Sequence, residues 1–340
     1  MVAARPCQPS SPGRRWLSAT LLGLLATVAP MGAWAQAATP AKWPTQAVRI
    51  VVPTGPGSSL DLIARLLNDK LSARWGQPVV VDNKPGAGGM LGLDVAAKST
   101  DGHTLAIGFN GPVANAGFLY KKTPYDPARD LKAIVMTTSQ ANVLAVNAEK
   151  VPAKTASELA AWLKSQAGKA NYASLGNGSS AHLTMELFLS EAGAQATHVP
   201  FNGSPPAALS VAQGEAQLTF MVAPALLPHV QTGKVRLIAV SSRQRLEGFR
   251  DVPTLAESGF PAVESLAWNG LLGPASMPDA VVNKINADVN ALLATDEVRQ
   301  ALARQGMTVV GGPASDFRRV IEGDMARWGP VIRRLGVTLD

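Results

Sequence analysis

At 340 residues, with 46% hydrophobic and 16% charged residues, the chain has a globular rather than a disordered balance, with room for one large domain or two ordinary ones. Its formal charge of +7 comes from 31 basic and 24 acidic residues scattered without aromatic interleaving, which argues against a nucleic-acid surface. Aromatic residues make up only 5%, so the core must rest on Ala, Val, Leu and Ile.

Residues 1–35 read as an export leader. Arg5, Arg14 and Arg15 form a basic start, an apolar run extends from Trp16 to about Met31, and Ala33-Trp34-Ala35 is an A-x-A cleavage site that places the mature start at Gln36. The apolar run falls short of the roughly 20 residues a membrane span needs. Arg14-Arg15 fits a twin-arginine signal poorly, so the general secretory route and a periplasmic location are expected. Cleavage would leave 28 basic against 24 acidic residues and would remove Cys7, the only cysteine. The mature chain then has no disulfide, no thiol nucleophile and no thiolate metal site.

After the leader, 47–53 reads as a buried strand and 55–59 as a turn. A helix follows, with Leu60, Ile63, Leu67, Leu71 and Trp75 every three or four residues and Gly76 as its stop. The pattern repeats through a strand at 78–81, a glycine-rich loop at 84–89, a helix at 90–98 and a strand at 104–109. That alternation predicts parallel strands with crossover helices. A long β-prone stretch covers 131–146, interrupted at Thr137-Thr138-Ser139-Gln140. A second α/β series then begins with a capping box at Thr155 and Glu158. It continues with a strand at 172–174, a loop at 176–180, a helix to Ala192, and strands at 196–201, 217–221 and 235–240. A segment at 264–270 leads into a mostly helical tail at 279–294, 296–305 and 315–334. Two α/β series joined through strands fit a two-lobed clamp with hinge strands, with lobe 1 at 36–141 plus 265–340 and lobe 2 at 142–264.

Two loops, one per lobe, lie between a strand and a helix, where open α/β sheets bind ligands. The first runs Pro53 to Asp61 and contains Gly57, Ser58, Ser59 and Asp61. The second runs Ser174 to His182 and contains Gly178, Ser179, Ser180 and His182. Helix N-termini there offer unpaired N–H groups and a positive dipole end to an anion. Ser58 and Asp61 fit an S-x-x-D capping box. The loop at 85–92 has G-x-G-x-x-x-G spacing, not a dinucleotide fingerprint. His103, His182, His198 and His229 show no metal-ligand spacing, and G-x-S-x-G is absent, so neither a metal site nor catalytic residues are expected. A hydrolase assembled from Ser179 or Ser58 with His182 and Asp61 is the weakest of the competing readings.

The motifs Trp43-Pro44, Pro56 to Asp61 with Ala64-Arg65, Asp82 to Gly89, Asp101 to Leu105, Gly176 to Leu183, Val252 to Glu257 and Trp268 to Leu271 occur in this order. Together they resemble the tripartite tricarboxylate transporter receptor family, also called the Bordetella uptake gene family, over essentially the whole mature chain. The resemblance implies a type II periplasmic-binding-protein fold that closes on a carboxylate or similar small organic anion. It implies no cofactor, and delivery to a membrane transporter with a large and a small subunit. A sensor kinase is an alternative partner. A monomer suits the clamp. The resemblance places the ligand against Gly57, Ser58, Ser59 and Asp61 in lobe 1 and Gly178, Ser179, Ser180 and His182 in lobe 2, with Asn110 and Asn115 lining the cleft. Phe201-Asn202-Gly203 stands where the family usually has Tyr-Lys-Gly, Ser58 where it has a glycine, and Gln217 where it commonly has aspartate. These departures predict a solute less charged than, or shaped differently from, a simple dicarboxylate.

Overall fold

The computed structural model describes residues 43–246 and 249–339. The expected leader, its cleavage site and Cys7 lie outside them.

The apolar run expected at 47–53 forms β1 (Val48–Val52), buried along most of its length. Helix α1 (Ser59–Trp75) follows and buries Leu60, Ile63, Leu67, Leu71 and Trp75, the stripe its 3.6-residue period requires. Ser58 caps its start, and Gly76, left-handed at φ 66°, ends it. The series continues with β2 (Val79–Asn83), α2 (Met90–Ala97) and β3 (Thr104–Phe109). A π-helical turn at Gly111–Asn115 and two short helices, α3 (Ala116–Leu119) and α4 (Pro127–Asp130), lead into β4 (Leu131–Asn147).

The second series is α5 (Ala156–Gln166), β5 (Asn171–Ser174), α6 (Ser180–Ala192), β6 (Thr197–Pro200), α7 (Ser204–Gln213), β7 (Leu218–Val222), α8 (Ala223–Gln231) and β8 (Val235–Val240). Periodicity alone does not bring out α7 and α8. Their prolines read as breakers, yet in each helix a proline sits in the first turn, where its missing N–H is not needed. The chain then returns through β9 (Leu266–Pro274) and closes with α9 (Asp279–Leu293), α10 (Asp296–Ala303), β10 (Thr308–Val309) and α11 (Ala314–Leu335).

The two series share one topology. In the first, β1 pairs parallel with β2 on one side and β3 on the other. In the second, β5 pairs parallel with β6 and β7 in the same arrangement. Strand β4 joins them. It is continuous through Thr137 to Gln140, where the sequence suggests a break, with register irregularities between Ala133 and Val135 and between Met136 and Thr138. Residues Leu131 to Ala141 of β4 pair with β9, and residues Asn142 to Val146 pair with β7. The switch of partner falls between Ala141 and Asn142.

A serine fastens that switch point. Ser241 accepts the Asn142 N–H on its hydroxyl at 3.0 Å and donates the hydroxyl to the Ser265 carbonyl at 2.6 Å. Its own N–H reaches the Asn142 carbonyl, and its carbonyl receives the Ser265 N–H. Both chain crossings between the halves therefore meet at one side chain.

Candidate functional site

The loops after β1 and β5 fold the same way. Ser58 and Ser179 are N-caps with nearly equal backbone angles (φ −70° and −60°), and each hydroxyl accepts an N–H three residues on, from Asp61 and His182. Gly57 and Gly178 precede them at φ 77° and 72°, a conformation that costs other residues a steric penalty. Each of these glycines donates its N–H to a side chain four residues later. Gly57 donates to the Asp61 carboxylate at 2.9 Å, and Gly178 to Nδ1 of His182 at 3.0 Å. The pairing differs from the reciprocal capping box that S-x-x-D suggests, because the Asp61 side chain reaches back past Ser58 to the glycine.

Asp61 and His182 thus hold the loops from beneath. Asp61 also accepts from Arg65 Nε and Asn83 Nδ2, both at 3.0 Å. Burial pushes its carboxyl up, but the Arg65, Gly57 and Asn83 hydrogen bonds reverse this and hold it below the ordinary carboxylate value. His182 is buried and stacks on His198 with ring centroids 4.0 Å apart, and His198 stacks in turn on Tyr172 at 4.8 Å. Burial, with a smaller contribution from the neighbouring imidazole, lowers His182 to about 3; burial lowers His198 to about 4. Both rings are neutral at pH 7. His198 Nε2 lies 2.7 Å from the Ser174 hydroxyl.

No nucleophile–base pair forms at the candidate hydrolase residues. The Ser179 hydroxyl donates to the Gly176 carbonyl at 2.6 Å, and Nδ1 of His182 is occupied by the Gly178 N–H. Ser58 pairs with the Thr54 hydroxyl at 2.6 Å. Among the described residues, no group of three or more His, Cys, Asp or Glu side chains could hold a metal ion.

The loops of the two halves touch in reciprocal fashion. The loop after β1 meets the loop after β6, where the Gly55 N–H donates to the Asn202 carbonyl at 3.0 Å. The loop after β2 meets the loop after β5, where a Cβ on Gly88 would come within 2.8 Å of the Asn177 carbonyl oxygen. Asn115, fully buried after β3, donates its amide to the Gly178 carbonyl at 2.8 Å. The loop glycines are what allow backbone to approach backbone this closely. Ser59 and Ser180, the first residues of α1 and α6, are both buried there, and neither loop contains a lysine or arginine.

The remaining candidate residues make the following contacts. The Asn110 amide is engaged on both sides: its nitrogen donates to Asp324 and to the Leu266 carbonyl, and its oxygen accepts the Trp268 N–H. It ties α11 to β9. Phe201 is half-buried against the core and donates its N–H to the Ser174 carbonyl. Asn202 meets the other half through its backbone. Gln217 bonds with its side chain to the Asn171 N–H and the Gly214 carbonyl, at the start of β5 and so at the opposite end of the strand from the loop. Gln140 and Asn142 are buried polar residues on β4 that loop-based reasoning misses. The signal for them is a pair of amides at alternate positions, one closing the polar run Thr137 to Gln140 and one two residues beyond it.

Comparison with known proteins agrees with this geometry. Residues 63–337 match the model of the tripartite tricarboxylate transporter family receptor. BugT of Bordetella pertussis is 34% identical over 299 residues, 87% of this chain and 91% of BugT. An R. palustris protein solved with adipate superposes with a TM-score of 0.83 at 32% identity, covering 87% of this chain and 99% of its own. MatC from Rhodopseudomonas palustris, solved with bound malate, gives 0.81 at 30% identity, covering 85% and 100%. The architecture is that of the two-domain α/β periplasmic binding proteins. With paired capped loops in its two halves and matches of this extent, the chain belongs to the tripartite tricarboxylate transporter receptor family.

Proposed function

We propose that this protein is a periplasmic receptor that closes its two halves over a small organic acid and hands it to a membrane transporter with a large and a small subunit. The observation that carries the reading is the matched pair of capped loops. They start a 17-residue and a 13-residue helix where loops of the two halves touch, and neither loop carries a cationic side chain. A carboxylate is the group such ends stabilise. Relatives solved with adipate and with malate carry ligands of that chemistry.

In this reading the backbone N–H groups at Ser59 and Ser180 grip the solute, Ser58 and Ser179 set the helix starts, and Asp61 and His182 support the loops by holding the N–H groups of Gly57 and Gly178. The moving lobes are 36–141 with 265–340, and 142–264. The solute shifts the equilibrium towards the closed form because it gains contacts from both lobes only there. Export requires cleavage after Ala35, and a mature N-terminus at Gln36 in periplasmic material checks it. The functional test is a thermal-shift screen of Gln36 to Asp340 against di- and tricarboxylates, aromatic acids, amino acids and neutral controls. A solute at 100 times its dissociation constant stabilises the folded state by about 2.7 kcal/mol. Stabilisation by an acid supports the reading, and stabilisation by neutral compounds alone overturns it.

A further inference from the structure

Asparagine is followed by glycine four times, at Asn110-Gly111, Asn177-Gly178, Asn202-Gly203 and Asn269-Gly270. This dipeptide carries chemistry of its own. The glycine has no Cβ to obstruct the asparagine side chain, so its main-chain nitrogen can reach the side-chain amide carbon. Attack there forms a new N–C bond, breaks the bond to the amide nitrogen and releases ammonia, which leaves a succinimide ring. Water then opens the ring at either carbonyl. The sum exchanges an amide and a water for a carboxylate and an ammonium ion, with no oxidant or reductant. Opening at the side-chain carbonyl gives aspartate. Opening at the main-chain carbonyl gives isoaspartate, in which the chain runs on through the side chain.

The attack requires an asparagine side chain free to turn and a glycine N–H free of other partners. Three of the four steps are held. Asn110 is buried, with its amide bonded to Asp324, to the Leu266 carbonyl and to the Trp268 N–H. Asn269 is buried inside β9 with its amide on the Thr138 hydroxyl at 3.0 Å, and Gly270 is paired with a strand on each side. At Asn177 the N–H of the following glycine is taken by Nδ1 of His182. The fourth step is open. The Asn202 side chain is exposed, and neither it nor the Gly203 N–H makes a hydrogen bond among the described residues.

We infer that Asn202-Gly203 is a site of spontaneous deamidation, and that the product unfastens the contact between the halves. The inference goes beyond the receptor reading and does not depend on which solute is bound. The Asn202 carbonyl accepts the Gly55 N–H at 3.0 Å. Its segment is fixed on either side, by the Phe201 N–H on the Ser174 carbonyl and by Ser204 at the start of α7. In the isoaspartate a methylene enters the chain between these fixed points, and the carbonyl that held Gly55 leaves the peptide link as a free carboxylate. The link no longer fits its span, and the Gly55 N–H is released. On the receptor reading, an aged molecule closes less well than a fresh one.

Peptide mapping by mass spectrometry, on mature protein held in mildly alkaline buffer, tests the site. The amide-to-acid mass gain is expected at Asn202 about tenfold faster or more than at Asn110, Asn177 and Asn269, the rate factor that corresponds to one retained hydrogen bond. In denaturant, where no step is held, the four are expected to age at similar rates. Amide hydrogen exchange tests the consequence. The isoaspartate-containing fraction, separated by ion exchange, is expected to exchange the Gly55 N–H about tenfold faster or more than fresh protein. Asn202→Gln, whose longer side chain closes the ring poorly, is expected to keep its own starting exchange rate through the same incubation. No mass gain at Asn202, equal ageing of all four steps in the folded protein, or the same lead for Asn202 in denaturant overturns the site. Deamidation at Asn202 with unchanged exchange at Gly55 overturns the unfastening.

Discussion

Nδ1 of His182 accepts the Gly178 N–H at 3.0 Å, as the Asp61 carboxylate accepts the Gly57 N–H at 2.9 Å in the other half. An imidazole and a carboxylate thus perform one task at equivalent positions, which is to fix a glycine N–H beneath a helix start. Replacing His182 by Leu removes the acceptor and leaves a buried N–H unpaired. The expected cost is about 1–3 kcal/mol of folding stability, with weaker solute binding. Denaturant unfolding and calorimetric titration of the same variant check both.

The imidazole stack makes stability depend on pH. His182 and His198 titrate at about 3 and about 4 in the folded protein against an ordinary 6.5, because burial disfavours their charged forms. Above 6.5 neither the folded nor the unfolded chain holds the extra protons. As pH falls below 6.5 the unfolded chain takes them up and the folded chain does not, so stability is lost progressively down to about 3. The loss is on the order of a few kcal/mol. Melting curves from pH 7 to pH 4 should show it, and a His182→Leu/His198→Leu double variant should show a shallower fall over the same interval.

Gly55 touches the other half through its backbone, and an added Cβ there would lie 3.2 Å from the Asn202 carbonyl oxygen. Gly55→Val should therefore hold the halves apart while leaving each folded. The expected result is a larger radius of gyration in small-angle scattering, solute affinity reduced by about tenfold or more, and a melting temperature close to wild type. An unchanged scattering profile with unchanged affinity would show that this contact is not part of closure.

Ser241 joins both chain crossings, so Ser241→Ala leaves the Asn142 N–H and the Ser265 carbonyl without their hydroxyl partner. A destabilisation of about 1–3 kcal/mol is expected, at the level of a lost buried hydrogen bond. Faster hydrogen exchange at Asn142 would locate the effect at the junction.

Much of the fold was legible in the sequence because two periods carry it. The stripe from Leu60 to Trp75 and the strands at 48–52, 104–109 and 235–240 follow from spacing alone. The paired loops were legible for the same reason, since S-x-x-D and G-x-G-S-S announce helix starts. What escaped was partnership. The sequence marks Asp61, His182 and Asn110 as polar residues near a cleft, but it does not say that Arg65, Gly178 and Asp324 already occupy them. Gln140 reads as part of a break in the strand, and Asn142 draws no attention until the face it occupies is known. The prolines that open α7 and α8 conceal two helices from any rule that treats proline only as a breaker.

The position of β9 bears on how the chain reaches this structure. It lies between β3 and β4, pairing with both, although about 120 residues separate it in sequence from β4. The centre of the first sheet is thus filled by a late segment, and neither β3 nor the first part of β4 has its inner neighbour until residues beyond Leu266 emerge. Contacts of such separation slow folding, and the unpaired edges are templates for association with other chains. A product truncated before Leu266 would carry two open strand edges at the middle of its sheet, so early termination should yield aggregates rather than a smaller soluble lobe.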